Sequence, residues 1–334
     1  MIRIDGAIGS GGGQILRSSA GLSALTGKPF KIINIRKGRC NKGMQEQHVQ
    51  AISAVASLCD AETKGLKKGS EELEFIPGKI KSGTLDIKIK TAGSVGLLLQ
   101  ALMIPAIKTD VVFDIKGGAT FGKWASPVLF LDKILKFYLE KMSYSFTIDV
   151  KKEGFFPKGG ARVTVHSEKA KLKPLNITEH GQVVYVGGLS KASKSLKSKR
   201  VAERQKEEAG KLLDSKFPID SKIDEMYVDS LCPGTGMQLW VESENSVVGG
   251  NSFGEKKKSA ENVGIEAAKM LIREYEKGVI PSNAADQLIP YMALAPGSKI
   301  KTSKITNHIR TNIDTVEKFL DVKFEINGRV IRSI

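Results

Sequence analysis

Apolar and polar residues alternate along the chain in two patterns. Short apolar runs predict strands, and longer segments with apolar residues near helical spacing predict helices between them. The predicted strands are 2–5, 29–35, 73–76, 85–89 and 111–115, and the predicted helices are 13–26, 44–58, 96–107 and 127–142. A hairpin follows at 154–160. The order strand, helix, strand, helix, strand, strand occurs twice, which indicates an internal repeat of roughly 75–85 residues.

The pattern changes after residue 182. A strand at 183–186 precedes a lysine-rich run at 190–200, a polar helix, strands near Met226 and Met237, and a predicted Gly-Gly turn at 249–250. A long helix after Ser259 ends at Gly278, and the first pattern then resumes with a helix at 314–320 and a strand pair around Asn327-Gly328. The chain is therefore predicted to be an α+β protein of α/β repeats. The repeat domain covers 1–182 and 276–334, and a smaller α/β domain is inserted at 183–275.

The charge balance suggests a polyanionic partner. The sequence has 52 Lys and Arg against 36 Asp and Glu, a net charge of +16. Each phosphate that a basic side chain neutralises releases counterions, so this excess favours nucleic acid, although a basic surface also serves solubility alone. The three cysteines form no CxxC pair and are interpreted as reduced thiols. The sequence has neither a signal-peptide core nor a run of about 18 apolar residues without a charge. It therefore predicts a cytoplasmic protein that does not span a membrane.

Two segments have the composition of an anion site. The glycine run at 9–14 follows a strand and opens a helix, where backbone N–H groups can meet a phosphate. It matches neither a Walker A loop nor a dinucleotide fingerprint, and a tight turn that lets helix and sheet pack closely explains it equally. The loop before the second helix is rich in basic and polar side chains, which favours anion binding over a merely solvated loop. These side chains are Arg36, Lys37, Arg39, Lys42, Gln45, Gln47 and His48.

The four histidines offer few candidates for catalysis. His166 alternates with valines in a predicted strand, and His180 adjoins a glycine in a turn. His308 lies in the segment 304–312 (KITNHIRTN), among hydrogen-bonding and basic residues. A lone histidine is most often structural, so spacing by itself does not make His308 a catalytic residue.

Several segments resemble the RNA 3′-terminal phosphate cyclase family. They are 5–17 (DGAIGSGGGQILR), 35–39 (IRKGR), Gln47-His48, 154–160 (GFFPKGG) and 285–295 (ADQLIPYMALA). The similarity runs in order from residue 2 to about 331. It implies three repeated units, each a four-stranded sheet with two helices, and a smaller α/β insertion within the third. It also implies an ATP-dependent reaction that converts an RNA 3′-phosphate to a 2′,3′-cyclic phosphodiester through enzyme-histidine-AMP and RNA-(3′)pp(5′)A.

The resemblance also implies roles for individual residues. His308 aligns with the nucleophile, and a neutral imidazole is competent for that task. The positions implied for ATP are Gln14, Gln100, Asn283, Ala284, Ala285, Asp286 and Gln287, with Pro127 and Phe130 flanking the adenine. Those implied for the triphosphate or the RNA end are Arg17, Arg36, Arg39 and Gln47. A divalent metal, Mg²⁺ or Mn²⁺, is expected as well.

The chain departs from the family pattern at four positions. Ser10 replaces a glutamate that helps hold the metal, so the metal ligands stay unassigned. Asn283 replaces a tyrosine at the nucleotide site, and Glu153 and Ala161 replace a basic residue and a glycine of the hairpin.

Two other classes of protein compete with the cyclase interpretation. The first is a non-catalytic cyclase-like RNA-binding factor in ribosomal RNA processing, and the second is an enolpyruvyl transferase with related repeats. The presence of His308, Asp286 and Gln100 argues against the first, and the basic loop and the His308 segment argue against the second. RNA with a 3′-phosphate end is the expected partner, and no obligatory protein partner is inferred.

Overall fold

The computed structural model describes residues 1–9, 12–122 and 125–334. Ser10, expected to alter the metal site, lies outside these residues. Within the described ranges the chain forms four four-stranded sheets with helices packed against them. This architecture confirms the α+β class. No helix in this part of the chain combines the length and the apolar character needed to cross a bilayer.

The first unit has the predicted order of elements. Its strands alternate buried and exposed residues, and the left-handed Gly27 ends its first helix because glycine adopts that conformation without strain. The elements are β1 (Ile2–Asp5), α1 (Gly13–Thr26), β2 (Phe30–Ile33), α2 (Glu46–Cys59), β3 (Glu62–Lys64) and β4 (Leu73–Ile76). The sheet order is β1-β2-β4-β3, with β1 parallel to β2 and the other pairs antiparallel. The short polar strand β3 was not predicted because it has no apolar alternation.

The second unit repeats this topology with the sheet order β5-β6-β8-β7. Its elements are β5 (Gly83–Ser94), α3 (Val95–Ala106), β6 (Val111–Ala119), α4 (Val128–Phe130), α5 (Lys136–Lys141), β7 (Phe146–Lys152) and β8 (Arg162–Ser167). A wider helical turn at Leu131–Leu135 joins α4 to α5, so the single helix predicted at 127–142 is continuous but not uniformly α-helical.

The hairpin at 154–160 connects β7 to β8 and explains one departure from the family pattern. Glu153 is buried, and one carboxylate oxygen accepts a hydrogen bond from Lys191 Nζ at 2.5 Å. The other oxygen accepts one from Thr120 Oγ1. A buried carboxylate needs such partners, and Lys191 supplies the positive charge from the neighbouring sheet.

After β9 (Asn176–Ile177) the chain leaves the third unit and builds a separate sheet. Its elements are β10 (Val183–Ser193), α6 (Val201–Asp214), β11 (Lys222–Val228), β12 (Thr235–Ser243), β13 (Val247–Phe253) and α7 (Ala260–Lys277). The predicted Gly-Gly turn at 249–250 is wrong, because both glycines lie inside β13. A Cβ on Gly250 would lie 2.3 Å from the backbone nitrogen of Leu271, so glycine here permits α7 to pack closely.

The chain then returns and completes the third unit. Its remaining elements are α8 (Ser282–Ala293), β14 (Lys299–Lys301), α9 (Asn307–Phe319), β15 (Phe324–Asn327) and β16 (Val330–Ser333). The sheet order β9-β14-β16-β15 and its strand directions repeat those of the first two units. The helix predicted at 314–320 begins earlier, at Asn307, because Thr306 caps it by accepting a hydrogen bond from the backbone N–H of Ile309.

Two apolar clusters support these sheets. The larger is shared by the three repeated units and includes Phe30, Phe113 and Phe319. A smaller one under β10–β13 includes Leu239 and Leu271. The sequence-based domain boundaries at 182/183 and 275/276 stay a prediction.

Candidate functional site

A cavity of about 360 Å³ lies where helices of all three repeated units meet β13 and α7. Three of these helices, α1, α8 and α9, have no acidic residue in the first turn, and neither α1 nor α8 has a side-chain cap. Free N–H groups and the helix dipole make such N-termini attractive to anions. The polar side chains that line the cavity include Gln14, Arg17, Ser18, Gln100, Ser126, Asn251, Asn283, Asp286, Gln287, His308 and Asn312.

Gln14 and His308 fix each other across this cavity. Each lies in the first turn of its helix, α1 and α9 respectively, although they are 294 residues apart in sequence. The Gln14 Nε2 group donates to the His308 backbone carbonyl at 3.2 Å, which turns the amide oxygen towards the imidazole Nδ1. Because an amide oxygen can only accept, Nδ1 carries the proton. The lone pair of Nε2 is then available as a nucleophile.

The charges around His308 keep its imidazole neutral. His308 stays exposed towards the cavity, but partial burial of the ring lowers its pKa, and the positive charges of Arg17 and Arg39 lower it further. His48 behaves in the same way: burial, Arg17 and Arg36 lower its pKa to about 3. Both histidines are therefore neutral at pH 7, and the arginines supply the positive charge of the site.

Arg17 and Asp286 lie in the lining of the cavity and influence each other electrostatically. Arg17 is buried, desolvation lowers its pKa to about 10, and its Nε has no hydrogen-bond partner among the described residues. Asp286 keeps some surface towards the cavity, but desolvation outweighs the attraction of Arg17 and raises its pKa to about 8. At pH 7 the carboxyl is largely protonated and does not repel an anion in the cavity.

The raised pKa of Asp286 predicts a pH-dependent stability. The folded-state pKa lies above the value of 3.8 for a solvated aspartate, so the protonated form stabilises the fold at low pH, and that contribution is lost as pH rises towards and through about 8. We expect Asp286→Asn to remove this loss. Thermal denaturation of both proteins from pH 5 to 9 should show a melting-temperature difference that increasingly favours the variant with rising pH. A difference independent of pH would contradict the raised pKa.

Asn283 and Gln287 present unused acceptors. Asn283 Nδ2 donates to Ser126 Oγ at 3.5 Å, and Gln287 Nε2 donates to the Asn283 carbonyl at 2.7 Å. Their side-chain oxygens are buried and have no partner within the described residues. Buried acceptors without partners are costly, so a ligand with N–H groups fits this side of the cavity.

The glycine run allows the helices to approach each other. A Cβ on Gly9 would lie 2.1 Å from Thr311 Oγ1 on α9, and one on Gly13 would lie 2.1 Å from His48 Nε2 on α2. These two glycines therefore support the close-packing interpretation of the run.

A sequence model of the family described as RNA 3′-terminal phosphate cyclase matches residues 8–326. The chain belongs to that family. It is 40% identical to the RNA 3′-terminal phosphate cyclase of Methanopyrus kandleri, over 98% of this chain and 96% of the relative. The proteins of the same name from Thermococcus onnurineus and Pyrococcus abyssi are each 41% identical, over 99% of this chain and 96% of the relative.

In this member of the cyclase family, the remaining predicted residues lie at different depths. Phe130, Ala284 and Ala285 are fully buried and support the cavity wall from behind. Pro127 caps α4 next to Ser126, which does line the cavity.

The basic loop lies beside the cavity rather than in its lining. Arg36 Nε donates to the Asn41 carbonyl at 3.1 Å, and Arg39 and Gln47 are exposed. The charge of Arg39 nevertheless acts on His308, and that of Arg36 acts on His48.

Among the lining residues that were not predicted from the sequence, three form hydrogen bonds that hold the site together. Ser18 Oγ donates to Asn312 Oδ1 at 2.7 Å, and Asn312 Nδ2 donates to the Asp286 carbonyl at 2.6 Å, which links α1, α9 and α8. Ser126 is the partner of Asn283. Ser18 and Asn312 lie one helical turn after Gln14 and His308, so i to i+4 spacing could have identified them.

The described residues offer little for a metal. They contain no group of three or more His, Cys, Asp or Glu side chains placed to hold an ion. Asp286 is the single carboxylate in the described lining of the cavity, and its raised pKa makes it a poor ligand. A metal site made by the protein alone does not fit this part of the cyclase-family chain.

Proposed function

We propose that this protein uses ATP to convert a 3′-terminal phosphate of RNA to a 2′,3′-cyclic phosphodiester, with His308 as the nucleophile that accepts AMP. The observation that supports it most directly is the Gln14–His308 contact, which leaves imidazole Nε2 unprotonated in a cavity suited to anions. The relatives are named RNA 3′-terminal phosphate cyclases, which agrees with the cyclisation step of this proposal. We further propose a cytoplasmic setting, which the three free cysteines support.

The cavity has the features that a nucleotide needs. Leu97, Met103 and Leu131 provide apolar surface for a base, and the oxygens of Asn283 and Gln287 can accept hydrogen bonds from its N–H groups. Arg17 Nε is a buried donor for a phosphate oxygen. Asn283 cannot stack on the base as an aromatic ring would, so we propose hydrogen bonding as its contribution here.

In the proposed reaction, His308 Nε2 attacks the α-phosphorus of ATP, a P–N bond forms, and the P–O bond to pyrophosphate breaks. The proton stays on Nδ1, which donates a hydrogen bond to the Gln14 oxygen, and this bond stabilises the charged imidazole. An oxygen of the RNA 3′-phosphate then displaces His308 and takes AMP. The ribose 2′-oxygen attacks the 3′-phosphorus, AMP leaves, and the 2′-hydroxyl proton passes to solvent. Arg17 and Arg39 offset the negative charge that collects in these steps.

We also propose that a divalent cation enters on the triphosphate rather than through protein ligands. Mg²⁺ commonly retains waters and binds substrate phosphates with few carboxylates, which agrees with the single carboxylate in the described lining.

The test is incubation of the protein with ATP, Mg²⁺ and an oligoribonucleotide that ends in a 3′-phosphate. We expect an RNA product whose terminal phosphate resists phosphatase and is freed only after the cyclic ester is opened. Binding of the RNA without any ATP-dependent cyclisation would contradict the proposal and would favour a non-catalytic RNA-binding role.

The pKa of His308 predicts the acid limit of the reaction. Since the pKa lies below the usual 6.5, kcat/KM for ATP should fall only when pH drops through that lowered value. Arg39→Gln removes one of the charges that lower the pKa, so its acid limit should move to higher pH. Arg36→Gln is the matched control, because Arg36 acts on His48 instead. Equal shifts of the acid limit in both variants would contradict its assignment to His308.

A further inference from the structure

A second concave surface lies next to the active-site cavity. This groove, of about 510 Å³, lies on the loop between β13 and α7. Asn251 and Phe253 line both the cavity and the groove, so the two are neighbours that share part of one wall. The charged and amide side chains along the groove are Glu255, Lys256, Lys257, Lys258, Asn262 and Glu266. None of these residues belongs to the catalytic constellation described above.

The three lysines of the groove have different roles. Lys258 Nζ donates to Ser252 Oγ at 3.0 Å and to the Phe253 carbonyl at 3.2 Å, and it pairs with Glu266. Lys258 therefore anchors the loop and neutralises Glu266, one of the two acidic residues of the groove. Lys256 and Lys257 are exposed, and neither has a hydrogen bond or ion pair within the described residues. Their charges are available to a ligand.

The backbone holds the loop in a defined turn. Lys257 has a φ of 69°, which an L-residue adopts only when the surrounding structure requires it. The next element begins immediately afterwards, where Ser259 caps α7 by accepting a hydrogen bond from the backbone N–H of Asn262 at 3.2 Å. The two free lysines thus project from a short turn fixed at both ends.

The start of α7 connects this groove to the lysine-rich run. Ala260 packs with Ala192 and Ala202 in a small apolar cluster. Arg204 forms two hydrogen bonds with Glu261, at 2.7 and 2.9 Å, and its Nη1 donates to the Lys199 carbonyl at 3.3 Å. The short helix Lys194–Lys199 therefore lies against the first turn of α7, and it extends the basic surface beyond the groove.

Within the lysine-rich run, most charges are already engaged. Lys194 pairs with Asp229, Arg200 pairs with Glu207, and Lys197 lies over the Tyr227 ring. Lys199 is exposed, with no side-chain partner among the described residues. Lys256, Lys257 and Lys199 are thus the free cations along this face of the described structure.

We propose that this face binds the backbone of single-stranded RNA on the 5′ side of the reacting end. Lys256 and Lys257 would contact phosphates next to the cavity, and Lys199 would contact the strand farther away. The inference rests on the proposed function, because it takes the RNA 3′ end to lie in the cavity. Phosphate contacts from flexible lysines are independent of base sequence, as an enzyme acting on RNA ends requires. Because the groove and the cavity share Asn251 and Phe253, one strand that ends in the cavity would pass next to the groove.

The test compares the wild type with Lys256→Gln/Lys257→Gln on two substrates that both end in a 3′-phosphate. For a single-stranded oligoribonucleotide of about 12 nucleotides we expect KM to rise about tenfold in the variant, with kcat unchanged. For a dinucleotide, which does not reach beyond the cavity, KM should stay the same. Loss of two phosphate contacts should also reduce the slope of log binding constant against log salt concentration by about 1.4.

The control is Lys169→Gln/Lys171→Gln, which removes two exposed lysines from the connection after β8, near the end of α3, and should change none of these values. An equal effect on both substrates, or an unchanged salt slope, overturns the proposal. Equilibrium binding of the longer RNA tests this RNA-binding face separately from the proposed function. If the wild type binds but never cyclises that RNA, the proposed function fails, and weaker binding by the groove variant still supports RNA binding at this face. If the wild type does not bind the RNA, binding at this face is excluded.

Discussion

Replacement of His308 by alanine is expected to abolish transfer of AMP from ATP to the protein. Incubation of the wild type with Mg²⁺ and α-labelled ATP should give an acid-labile labelled protein, because a phosphoramidate on imidazole hydrolyses readily in acid. His308→Ala removes the nucleophile itself, so labelling and RNA cyclisation should both fall by on the order of 10⁴-fold or more.

His308→Ala should leave the fold intact. The His308 side chain is exposed towards the cavity, and among the described residues it forms a hydrogen bond with the side chain of Gln14. The free energy of unfolding should therefore change by about 1 kcal/mol or less. His166→Ala is a matched control, since His166 is an exposed histidine on β8. Equal labelling of the His308 variant and the wild type would exclude an adduct on His308, and so would loss of label in the His166 variant alone.

Replacement of Gln14 by leucine should have the second-largest effect. Leucine has a similar size but removes both hydrogen bonds to His308, so the imidazole loses its fixed position and its preferred tautomer. When Nε2 carries the proton, no lone pair faces the α-phosphorus. We expect the rate of protein labelling to fall by on the order of 10²–10³-fold at saturating ATP, with a smaller change in the KM for ATP.

Two further substitutions isolate the role of Gln14. In Gln14→Glu a carboxylate replaces the amide beside Nδ1, which should raise the pKa of His308 and move the acid limit of labelling to higher pH. Gln287→Leu is the matched control, because Gln287 lines the cavity and its Nε2 donates to the Asn283 carbonyl rather than to His308. It should change the KM for ATP and leave the acid limit in place. Wild-type labelling by Gln14→Leu would show that the amide does not set the tautomer.

Much of the secondary structure could be predicted because it depends on local patterns. The helix Gly13–Thr26 and the strands Ile2–Asp5 and Leu73–Ile76 have the bounds expected from hydrophobic spacing. The long helix after Ser259 was identified by its capping residue and the glycine that follows it. These signals lie within a few residues of the structure that they specify.

The secondary-structure predictions that were wrong or incomplete failed for other reasons. Gly249 and Gly250 have the composition of a turn, but they form part of a strand because the packing of α7 requires residues without side chains there. The strand Glu62–Lys64 is an edge strand defined by its neighbour β4 rather than by its own residues. Helix α9 was predicted too short because its first turn is polar and faces the cavity. In the first two cases a neighbouring element decides the local structure, whereas α9 begins where Thr306 caps it.

The sequence by itself determined the repeated topology, the basic character and the family resemblance that singled out His308. Only the tertiary structure decided how those residues act together. It places Gln14 against His308 and Asp286 near Arg17, and it places the groove of Lys256 and Lys257 next to the cavity. Periodicity and capping specify single elements, whereas contacts between α1, α8 and α9 depend on how three repeated units pack. The tautomer and pKa of His308 follow from those contacts, so no local pattern in the sequence encodes them.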